Sequence, residues 1–108
     1  MATDLERYKN SDGAVQIVSL PVSSPAVRIV GDNRRRLALV FSPPATGSFT
    51  ISTDQGVTPG NGINLTAGCN PFEICVERHG GAAMRPWYAI ASTGSPVTIA
   101  FFEVVSLD

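Results

Sequence analysis

The chain has 108 residues, 44% of them apolar and 16% charged, with a formal net charge of −1. That length is one domain, able to bury about 65% of the surface its unfolded chain exposes without metals or disulfide staples. Eight Lys and Arg against nine Asp and Glu give no global field for nucleic acid or an anionic membrane, and the longest apolar run, Leu37 to Phe41, is far short of the roughly 20 residues that span a bilayer.

Residues 1–12 are polar and charged. Thr3 and Glu6 have the spacing of a helix capping box, but too few residues follow before Gly13 for a stable helix. Leu5 and Tyr8 stand among Asp4, Glu6, Arg7 and Lys9, which is too little apolar surface to order the segment and enough to anchor it on a partner. We therefore expect an N-terminal arm over 1–12, with Leu5 and Tyr8 as partner contacts, and a folded domain over 13–108. The same charges interrupt what would have to be the apolar core of a secretory leader, so the expected compartment is the cytosol. Asn64-Leu65-Thr66 is then an unused sequon, and Cys69 and Cys75 are expected to be thiols.

From Ala14 to Leu20 a β-branched run lies between Gly13 and Pro21, and Ala26 to Val30 repeats the pattern after Pro25; both read as strands. Gly31-Asp32-Asn33 turns the chain into Arg34-Arg35-Arg36, and Leu37 to Phe41 follows, apolar on both alternating faces, as an inner strand covered on both sides. After Pro43-Pro44, Ser48 to Thr53 alternates, with Phe49 and Ile51 toward a core and Ser48, Thr50 and Ser52 toward water. Ile63 and Leu65 alternate with Asn64 and Thr66, and Phe72, Ile74 and Val76 with Glu73 and Glu77. Trp87 to Ser92 and Val97 to Val105 complete about eight strands. The closing strand sets Ile99 and Phe101 on one face and Phe102 and Val104 on the other; the second pair is best buried by another sheet or another subunit.

All eight prolines and ten glycines fall between these strands or at their ends, as residues that weaken sheet interiors should. No amphipathic helix of useful length is present. The fold class that follows is all-β: an antiparallel β-sandwich of about eight strands, with jelly-roll connectivity as a candidate arrangement.

Catalytic chemistry has little to stand on. His79, the only histidine, is either a base for Cys69 or Cys75 or a solvated loop residue, and no oxyanion or elbow motif accompanies it. Cys69, Cys75 and His79 make three ligands at spacings unlike a zinc finger or ribbon. We assign no catalytic residue, no metal and no cofactor. Arg34, Arg35 and Arg36 form the one charge run, suited either to an acidic partner surface or to a basic strand entrance that discourages edge pairing. Trp87 and Tyr88 offer a sugar-stacking platform or a core and rim pair.

In order, the sequence presents an Arg-led inner strand (Arg34 to Phe41), Phe49 to Ser52, the turn and strand Gly62 to Gly68, Tyr88 to Ser92, and an apolar closing strand ending near Glu103. Over residues 34–105 this order resembles the small β-sandwich structural proteins of tailed bacteriophages, which decorate or cement heads, base head fibres, or sit in tails. The resemblance implies a non-enzymatic virion protein made in the bacterial host cytoplasm, most simply a cement protein bound to the major capsid protein, and usually oligomeric. The two-faced closing strand agrees with a homotrimer, and Arg34, Arg35, Arg36 and Phe102 join Leu5 and Tyr8 as partner-binding candidates. The alternatives are a tail or fibre accessory protein and a carbohydrate-binding module; fold alone does not choose among them.

Overall fold

The computed structural model describes residues 11–20, 25–92 and 96–107. The runs rich in β-branched and aromatic residues form eight strands in chain order: β1 (Ser11–Leu20), β2 (Val27–Val30), β3 (Arg36–Phe41), β4 (Ser48–Ser52), β5 (Ile63–Thr66), β6 (Phe72–Cys75), β7 (Trp87–Ala91) and β8 (Val97–Ser106). Between β6 and β7 lie a single helical turn, α1 (Val76–His79), and a 3₁₀ segment (Gly80–Met84).

The strands form two four-stranded sheets, β1-β8-β3-β6 and β2-β7-β4-β5. Every pairing is antiparallel. The pairs β1·β8, β2·β7, β3·β6 and β4·β5 nest inside one another, so the chain is one long hairpin rolled onto itself: a jelly roll, as the eight alternating runs allowed. The inner faces meet in one core. Leu39 and Phe41 of β3, Ile99 and Phe101 of β8, Phe49 and Ile51 of β4, and Leu65 of β5 are buried in it. Phe41 holds the centre, its ring 5.6 Å from that of Phe101 and 6.1 Å from that of Trp87, both tilted, an arrangement that ring quadrupoles favour over face-to-face stacking.

Four local expectations need correction. Gly13 lies inside β1 and not at its end, and β1 takes in Ser11 and Asp12 as well; a Cβ at Gly13 would run into the Phe102 ring, so the glycine is where that ring lies across the sheet. Thr50 and Ser48 do not face water: Thr50 is fully buried and Ser48 is buried as well. Ile63 does not follow Leu65 into the core and remains exposed. Finally, the strand read through Val76 stops at Cys75, because the backbone N–H of Cys75 donates to Nδ1 of His79 at 3.0 Å and ties the following residues into α1, which Gly80 ends with a positive φ of 61°.

Candidate functional site

The two sheets differ in what covers their outer faces. On the second sheet, residues 53–62 fold back over β4 and bury Val57 against it. Thr50 fastens them: its hydroxyl donates to the Pro59 carbonyl at 3.3 Å, lies 2.7 Å from that of Ser92, and accepts from Asn64 Nδ2 at 3.1 Å. Gly62 closes the loop so tightly that a Cβ there would meet the Ile51 carbonyl oxygen at 2.6 Å.

No described segment covers the first sheet in this way. Its outer face carries Val15 opposite Phe102 and Ile17 opposite Ala100, then Val40 opposite Phe102 and Ala38 opposite Val104. Val15 is 66% exposed, Ile17 69% and Phe102 40%. Beside β6 the face sinks into an open groove of about 380 Å³, with Ala38, Val40, Phe102, Val104 and Cys75 along it and Glu73, Glu77 and Arg78 at its rim. The three rim residues are exposed.

The margins differ too. The edge strands β2, β5 and β6 have four residues each, and β2 is interrupted by a bulge. Short or bulged edges resist pairing with other chains. β1 is also an edge, yet it runs for ten residues without a proline or a lysine, and residues 12–17 are exposed on both faces. Such a strand is a template for another strand.

The sequence candidates separate accordingly. Leu5 and Tyr8 lie outside the described residues. Arg34 and Arg35 are exposed on the turn before β3; the Arg35 Nε donates to the Ser106 carbonyl at 3.1 Å, which fastens that turn to the end of β8. Arg36 is 2% exposed and is turned inward. Its Nε pairs with Glu103 at 2.7 Å, and its terminal nitrogens donate to the carbonyls of Gly31, Ala83 and Arg85. A guanidinium with fixed planar donors suits four such acceptors, so Arg36 joins β3 to β8, to the turn after β2 and to the 3₁₀ segment. Phe102 is on the uncovered face, as the closing strand implied. Sequence reasoning passed over Val15 and Ile17: their strand was legible, but its place at a sheet margin follows only from the pairing order.

The chemical candidates are spent elsewhere. His79 accepts a backbone N–H, not a thiol proton. Trp87 is 4% exposed, with its Nε1 donating to the Ala82 carbonyl at 3.0 Å, so it offers no face to a sugar, and Tyr88 beside it is half-buried. Cys69 and Cys75 are free thiols, half-buried and buried. Among the described residues no group of three His, Cys, Asp or Glu side chains is placed to hold a metal ion.

No family model matches the chain, and no curated protein matches it. Among solved structures, the fold is similar to that of a chain from work described as "Bacillus endospore appendages form a novel family of disulfide-linked pili", with a TM-score of 0.50 and 14% identity, over 91% of this chain and 88% of that one. At that identity the likeness is one of fold.

Proposed function

We propose that the protein is a non-enzymatic structural subunit that assembles with copies of itself through its first sheet. The observation that carries this reading is the exposed stretch 12–17 of the edge strand β1, with Val15 and Ile17 on it. Alternate residues of an edge strand direct both backbone groups outward, so the exposed residues 12–17 offer about six hydrogen-bonding groups to a second strand. Burying Val15 and Ile17 on contact contributes roughly 1–2 kcal/mol each, given how much of each is exposed.

The fold likeness to a pilus protein favours the fibre alternative over the head-cement reading. The virion setting and the major capsid protein as partner rest on the sequence resemblance alone, and the homotrimer rests on it and on the two-faced closing strand. A contact from β1 to a different surface of the next copy is heterologous: it closes into a ring, a trimer being the smallest, or runs open as a fibre. The carbohydrate-binding reading loses Trp87 to the core and keeps only the half-buried Tyr88.

Light scattering and negative-stain electron microscopy of the purified full chain, over a rising concentration series, test the proposal. Rings or fibres of regular repeat are expected. A monomer at every concentration contradicts it.

A further inference from the structure

The chain covers the outer face of its second sheet with residues 53–62, and the groove on the first sheet has no described counterpart to that loop. We propose that this groove is the docking site of the chain's own residues 1–10. The inference goes beyond self-assembly, since the groove lies toward β6 while the assembling edge is β1 at the opposite margin.

Position comes first. β1 begins at Ser11, paired with Ser106. Two residues on, Gly13 opens a row that crosses the sheet through Val104, Ala38 and Cys75, and these last three line the groove. Residues 1–10 therefore join the sheet at the end where the groove lies. From β1 to β6 is three strand spacings, about 14 Å, whereas ten residues reach up to about 33 Å.

The chemistry matches along the same path. Ala38, Val40, Phe102 and Val104 give an apolar surface for Leu5 and Tyr8. Glu73 and Glu77 at the rim suit Arg7 and Lys9, and Arg78 beside them suits Glu6. Opposite charges at a rim fix register more than they add affinity; the apolar pair supplies the attraction. A short covalent tether holds a segment near its own groove at an effective concentration around millimolar. The chain's own segment therefore outcompetes the same segment from a second copy in dilute solution.

Cys75 lines the groove and Cys69 does not, which makes alkylation of the two thiols a direct readout, with Cys69 as internal reference. Deleting residues 2–10 is expected to raise the Cys75 rate several-fold and leave Cys69 unchanged. Leu5→Ser with Tyr8→Ser in the full-length chain should do the same without shortening it. Glu73→Arg with Glu77→Arg should also raise the rate, and adding Arg7→Glu with Lys9→Glu should bring it back down. In the unmodified chain the protection should be independent of protein concentration. An unchanged Cys75 rate in both the deletion and the Leu5/Tyr8 variant overturns the proposal. Protection that disappears on dilution overturns it as well, because the groove would then be filled by a second copy. Assembly is followed separately by sedimentation, so failure of one proposal is distinguishable from failure of the other.

Discussion

Arg36 shows how a residue's type can be read correctly from sequence and its role missed. Within a run of three arginines it looks like surface charge, but only Arg34 and Arg35 are on the surface; Arg36 is enclosed and holds Glu103 and three backbone carbonyls. β3 carries an irregularity between Arg36 and Ala38 against β8, so period-two alternation fails there, and alternation was the signal available. Removing one partner of a buried ion pair strands the other, at a cost of about 3–5 kcal/mol. We expect Arg36→Ala to lose about that much in urea unfolding. Arg36→Lys should recover little of it, because a single ammonium cannot reach acceptors spread around a planar fork. A loss under 1 kcal/mol for Arg36→Ala would mean that Glu103 and the carbonyls find water instead.

The loop 53–62 and the strand β1 make the same point for elements. All eight strands were legible, because alternation, β-branched residues and Gly or Pro boundaries agree with one another along the chain. What lies on the outer side of each strand was not. Thr50 alternates as a water-facing residue and is buried because a later segment returns over it. We expect Gly62→Ala to destabilise the fold by about 1–3 kcal/mol, since the backbone oxygen of Ile51 cannot give way to the added carbon. Thr50→Val keeps the shape and removes the hydroxyl that links Pro59, Asn64 and Ser92; a loss of about 1–2 kcal/mol is expected. Amide exchange in residues 53–62 should quicken in both variants before the core strands respond. Uniform quickening throughout the chain would show instead that the loop is not a separate unit. Gly13→Ala should behave differently, because the atoms it meets are the far edge of the Phe102 ring, which can swing outward; a small stability change with a displaced ring is the expected result.

For the whole molecule, the jelly roll gives one sheet its own cover, while among the described residues no segment covers the apolar outer face of the other and no further strand extends it beyond β1. The two-faced closing strand was visible in Phe102 and Val104, and it was the reason to expect from sequence another sheet or subunit on this side. The identity of the margin was not visible, since strand order is set by pairings between residues up to ninety-five positions apart, such as Ser11 with Ser106. The central claim is that β1 carries self-assembly, and a charged edge is the natural means of preventing edge pairing. The deciding measurement is sedimentation of the full chain beside a Val15→Lys, Ile17→Lys variant whose circular dichroism matches it. The account predicts that the unmodified chain forms higher species as concentration rises while the variant stays monomeric; assembly of the variant equal to that of the unmodified chain would contradict it.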